Sequence, residues 1–132
     1  MDITLAHTSE TSFLIFRNCN KFRDGSGYCV DLVMRSGAFQ LDTTFYFEDW
    51  PLKQFLEGLS QMNESLTGKA TLRPMWEKDY IEFEATTLGH IEIVGEFTSY
   101  EPLEQRLRFG LETDQTCLVP LVKGLKQLSE QS

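Results

Sequence analysis

Apolar and polar residues alternate over much of this chain, and the places where the alternation stops mark its elements. "SFLIFRN" (12–18) is a short apolar run between polar residues and predicts a strand. "NCNKFRDGSG" after it predicts a loop, with Asp24-Gly25 and Ser26-Gly27 as turn formers. From 28 to 48 the period is two. Val30, Leu32 and Met34 share one face, then Phe39, Leu41, Thr43, Phe45 and Phe47 share the next, and Ser36-Gly37 between them signals a tight hairpin.

At "DWPLKQFLEGLSQM" the period lengthens. Leu52, Phe55, Leu56 and Leu59 fall at i, i+3, i+4 and i+7, which predicts an amphipathic helix near residues 50–62. Pro51 suits its first turn, Asp49 is the expected cap, and Gly68 closes the segment. Strands return in "KATLRP", "YIEFEAT", "HIEIVGEFT" and "QRLRFGLET". A second helix near 118–129 carries Leu118, Leu121, Val122, Leu125 and Leu128 on one stripe. The pattern predicts a single α+β domain over 1–132, a mostly antiparallel sheet of about seven to eight strands with two amphipathic helices. The connections are too short for parallel crossovers, and the pattern leaves open whether the strands form one sheet or two.

The helices echo each other: "WPLKQFLEGLSQ" and "VPLVKGLKQLSE" align Leu52 with Leu121, Leu56 with Leu125, Leu59 with Leu128 and Ser60 with Ser129. A duplicated strand-plus-helix half would produce this, but two helices led by a first-turn proline converge on the same pattern, and convergence is the favoured reading.

Register defines the most informative surface. Ile81, Phe83 and Ala85 must face the core with Ile91, Ile93 and Phe97, because a slip of one residue would set Phe83 against Glu92. Of the registers that satisfy this, the best has a three-residue loop, Thr87-Leu88-Gly89, with Gly89 left-handed. It sets Glu84 opposite Glu92 and Tyr80 opposite Glu96. The next strand turns Leu107, Phe109 and Leu111 inward. If Leu107 pairs with Phe97, Glu112 extends the row of acids and Arg108 sits beside Glu96.

Three readings of this face stand in order: a solvated surface partly compensated by arginine, a docking patch for a basic protein, and a divalent-cation site. The second would draw on Trp76, Tyr80, Glu82, Glu84, Glu92, Glu96 and Glu112, with the two aromatic rings as anchors. The third is weakest, since carboxylates on flat neighbouring strands lack the loop ligands that wrap a cation.

Charge narrows the partners. A net charge of −8 works against nucleic acid and against an anionic membrane surface, and would steer a basic protein partner. No apolar run approaches the roughly 20 residues that span a bilayer. "MDITLAHTSE" has no basic stretch leading into an apolar one, so no signal peptide is expected. Cys19, Cys29 and Cys117 form no C-x-x-C and read as reduced thiols in a cytoplasmic protein, not as a disulfide framework or zinc site.

Candidate chemistry is sparse. His7 and His90 are the only histidines, and the named nucleophile, zinc-protease and phosphate-loop motifs are absent. Cys117 lies ahead of an amphipathic run, where a helix N-terminus could activate a thiol. Its neighbours favour an inert one instead: Thr113, Asp114 and Thr116 read as turn and capping groups, and Val119 before a proline sets the regular helix to begin near Pro120. No catalytic residue, cofactor or metal is expected.

The run "GAFQLDTTFYF", the helix of type "L..FL..L..M", "LTGKATL", "GHIEIVGEF" and the closing block "LRFGLETDQTCLVPLVKGL" together resemble the WapI-type bacterial immunity proteins from about residue 28 onward. The resemblance implies a non-enzymatic protein that binds and neutralises a cognate toxin domain, often a nuclease at the C-terminal end of a larger toxin. It marks no toxin-contacting residue. The alternatives from other classes are a small cytosolic enzyme of hydrolase type using Cys117 or His90, and a ligand-binding domain.

Overall fold

The alternating segments pair through short turns into two antiparallel meanders, each followed by a helix. A computed structural model of the chain describes residues 2–9 and 12–131. The first meander is β1 (Ile3–Ser9), β2 (Ser12–Lys21), β3 (Gly27–Ser36) and β4 (Phe39–Glu48), leading into α1 (Asp49–Ser65). The second is β5 (Lys69–Leu72), β6 (Tyr80–Ala85), β7 (His90–Ser99) and β8 (Gln105–Asp114), and a 3-10 turn at Gln115–Cys117 leads into α2 (Leu118–Ser129). Each sheet has four strands in chain order. The fold is therefore α+β, as the pattern predicts, with two sheets. The same order of elements occurs twice, so the echo between the helices belongs to a repeat of whole halves. That repeat favours a duplicated half over the expected convergence.

Strand β2 runs to Lys21, beyond the predicted end at Asn18, because a bulge interrupts its alternation. The pairing with β3 steps from Arg17↔Asp31 to Asn20↔Cys29. Asn18 takes the left-handed conformation at φ 49°, which asparagine tolerates better than most residues. Its side-chain amide donates to Asp31 Oδ2 at 2.8 Å, and its backbone N–H donates to Asp2 Oδ1 at 3.0 Å. The bulge changes the inward parity: Leu14 and Phe16 are buried before it, and Cys19 after it. A loop does form, but only from Phe22, whose N–H donates to Gly27 O at 2.9 Å.

Along β3, Tyr28, Val30, Leu32 and Met34 are all buried, facing Phe45 and Phe47 of β4. Phe39 shares their parity but is 64% exposed, because it pairs with Ser36 at the mouth of the hairpin, beyond the core. Asp49 is not the cap of α1. Extended Glu48 holds that position, and Asp49 lies in the first turn, where its carboxylate takes the Tyr28 hydroxyl at 2.8 Å and Lys53 Nζ at 2.9 Å. The helix runs three residues past the expected end, and left-handed Leu66 stops it by donating its N–H to Met62 O. Pro51, Leu52, Phe55, Leu59 and Met62 form its buried stripe.

The helices exchange halves: α1 packs on β5, and α2 packs on β1. Small residues allow the close approach, since a Cβ on Gly58 would stand 2.9 Å from Ala70 Cβ and one on Gly124 3.0 Å from Ile3 Cγ1. Aromatic rings bridge the layers. Phe45 meets Phe97 edge-on at 5.2 Å between the sheets, and Phe55 of α1 meets Phe83 of β6 at 5.6 Å.

Candidate functional site

The outer face of the second sheet assembles as its register requires. Ile81, Phe83, Ile91, Ile93, Phe97, Phe109 and Leu111 are buried on the inner face, so the residues between them point to solvent. The cross-strand pairs are Tyr80↔Glu96, Glu84↔Glu92 and Phe97↔Leu107, and the last brings Glu92 opposite Glu112 and Glu96 opposite Arg108. The predicted hairpin loop is also present. Thr86 and His90 close it through the Thr86 N–H to His90 O bond at 2.8 Å, and both Leu88 and Gly89 have positive φ.

The face is polarised along its strands. One transverse row reads Lys69, Glu84, Glu92, Glu112, and Asp114 lies beyond it opposite His90. Lys69 answers only one of these acids, pairing with Glu84 at 3.2 Å, and that carboxylate raises the lysine's pKa. At the other end, Arg106 Nε meets Glu96 at 3.3 Å and the Arg73 guanidinium sits 4.5 Å over the Tyr80 ring. In the middle, Glu82 accepts the Thr71 hydroxyl at 3.1 Å and makes no ion pair among the described residues.

Trp76 lies off this face, in the loop between β5 and β6, and is 85% exposed. Both ends of that loop are held. The Met75 N–H donates to Glu48 Oε1 at 3.0 Å, and Asp79 accepts the Thr98 N–H at 3.1 Å. Burial pushes the Asp79 carboxyl above its usual range, against that hydrogen bond. The tie to Glu48 sets Met75 beside the start of α1, where Trp50 is 61% exposed. Trp50, Pro51, Gln54, Arg73, Pro74 and Met75 then line a shallow, open groove of about 480 Å³, with Thr71 and Glu82 also lining it. The sequence reading does not single out Trp50 or Met75. A tryptophan next to a helix-leading proline reads as core or cap, and its neighbour across the groove is 25 positions away, so only the tertiary tie shows them together.

The groups that act on the Cys117 thiol are Thr113 and Asp114, and His90 is not among them. Burial pushes the Cys117 thiol up to about 11, so it is protonated near neutral pH. The corner around it is built by capping, as expected: Asp114 accepts the Thr116 N–H at 2.9 Å and the Thr116 hydroxyl as well. The helix nonetheless begins at Leu118, two residues earlier than Pro120 suggests, because the 3-10 turn feeds straight into it. Pro120 then falls in the first turn, where a missing N–H costs no helical bond. The side chain of His7 lies outside the described ones. Among the described residues, no group of three or more His, Cys, Asp or Glu is arranged to hold a metal ion, and no helix is long and apolar enough to cross a membrane.

Fold and face together describe a two-sheet α+β protein with a charged, solvent-facing sheet and an aromatic groove at its margin. The chain belongs to the WapI-like immunity protein family, whose model matches residues 7–131. An immunity protein family is associated in general with neutralising a toxin by binding it, without catalysis. A search of the curated proteins returned no match. Among solved structures, a chain from the "Crystal structures of trypanosoma bruciei MRP1/MRP2" is similar at TM-score 0.54 and 15% identity, over 97% of this chain and 81% of that one. At that identity the likeness is one of fold.

Proposed function

We infer that the protein neutralises a cognate bacterial toxin in the cytoplasm by binding the toxin's C-terminal domain through the outer face of β6, β7 and β8. Membership of the immunity family carries this reading. The contacts are Tyr80, Glu82, Glu84, Glu92, Glu96 and Glu112 on the face, with Trp76 on the adjoining loop. The partner is basic, as nuclease domains tend to be, because the row Glu84–Glu92–Glu112 holds three carboxylates against one lysine. An acidic face of this kind accelerates encounter with a basic surface. The protein contributes no cofactor, metal or catalytic group to the inhibition.

The test is to mix the protein with the C-terminal domain of the toxin encoded beside it. The expected result is a complex that weakens as salt rises, and restored growth of cells expressing the toxin. Absence of a complex at low salt would overturn the reading.

A further inference from the structure

We propose that the groove between Trp50 and Met75 receives an arginine or lysine side chain of the toxin, its stem between the apolar walls and its charge at the Glu82 carboxylate. This rests on the immunity reading and adds to it the chemistry of one contact.

The walls are Trp50, Pro51, Pro74 and Met75, surfaces that suit a long aliphatic stem and, on the indole, a cation. Three other carboxylates nearby pair with cations, Asp49 with Lys53, Glu84 with Lys69 and Glu96 with Arg106, and Glu48 is tied to the Met75 N–H. Glu82 accepts a neutral hydroxyl, from Thr71, and makes no ion pair among the described residues; Lys69 acts on it only at longer range. Arg73 also lines the groove, but its guanidinium is stacked on Tyr80. The groove is preformed, because Glu48 and Thr98 hold the β5–β6 loop from both sides, and binding need not order it. Two exposed apolar residues beside a carboxylate that makes no ion pair form an anchor of the kind that dominates interfaces.

The experiment uses the full chain and the toxin domain encoded beside it. In a Trp76→Phe background Trp50 is the single tryptophan, and its emission should shift to shorter wavelength on complex formation. Trp50→Ala should speed dissociation at least tenfold with little change in association rate, and Glu82→Gln should weaken binding about tenfold and flatten its salt dependence. A complex that forms with Trp50 emission and dissociation unchanged would overturn the groove proposal and leave the immunity reading standing. Loss of affinity in Trp50→Ala but not in Glu82→Gln would overturn the cationic occupant. If the free protein is a dimer that Trp50→Ala dissociates, the occupant is a second copy and the proposal fails. No complex with the wild-type chain would remove both readings together.

Discussion

Glu84 and Glu92 face each other directly across β6 and β7, and Glu112 continues the row on β8. Like charges directly opposite on neighbouring strands destabilise a sheet by a few tenths to about 1 kcal/mol. Glu92→Gln should therefore raise stability by about that amount at low salt, and the gain should shrink as salt screens the row. Urea denaturation at two ionic strengths checks this. In the complex, Glu84→Lys with Glu92→Lys should slow association with the toxin more than it speeds dissociation. Unchanged association would move the interface away from this sheet.

Phe83 is fully buried and meets Phe55 edge-on, while Phe109 stacks on Phe97 at 6.2 Å. Phe83→Ala and Phe109→Ala should each cost about 3–5 kcal/mol, measured by chemical denaturation. A loss under about 1 kcal/mol at either site would mean that the inner face is misassigned.

Leu88 combines two unfavourable conditions at the tip of the β6–β7 hairpin: a positive φ of 58° and 94% exposure. A left-handed residue with a Cβ carries a cost of roughly 1–2 kcal/mol that asparagine partly escapes. Leu88→Asn should leave the melting temperature unchanged or raise it by a few degrees. A fall would show that Leu88 makes a stabilising contact.

Cys117 has a thiol pushed up from 9.0 to about 11 by burial. Its thiolate fraction at neutral pH is then about 100-fold below that of an ordinary thiol, and reaction with an aromatic disulfide reagent should be slower by a similar factor. The folded state prefers the protonated form. The stability this contributes is complete below 9.0, the unfolded value, and is lost as pH rises through about 11. Cys117→Ala should remove that alkaline loss at this site and leave toxin binding unchanged. Rapid labelling at neutral pH would contradict the burial.

The second sheet was legible because its inner face is an alternation of large apolar residues: a one-residue slip would bury a glutamate, and the Gly89 loop selects among the registers that remain. The first sheet was less so. Its β2 contains a bulge, and Asn18 looks like the start of a loop when it is an extra residue within a strand. The segment "ITLAHTS" forms β1, yet its alternation is too weak to read without the partner strand Ser12–Lys21. The acids of the candidate face followed from local register. The groove did not, because it depends on Glu48 reaching across to the Met75 backbone, a tie between elements separated by a whole helix. Charge composition constrains the kind of surface that binds, whereas shape at a groove is a property of packing.

The exchange of helices sets how the molecule can come apart. Removing α1 uncovers β5, and removing α2 uncovers β1, so each half completes the interior of the other. Neither half closes a core by itself, and the molecule should melt in one all-or-none transition despite its repeated plan. A protease that cuts the linker at Leu66–Gly68 in a transiently opened chain would release two fragments, neither with a complete interior to refold around.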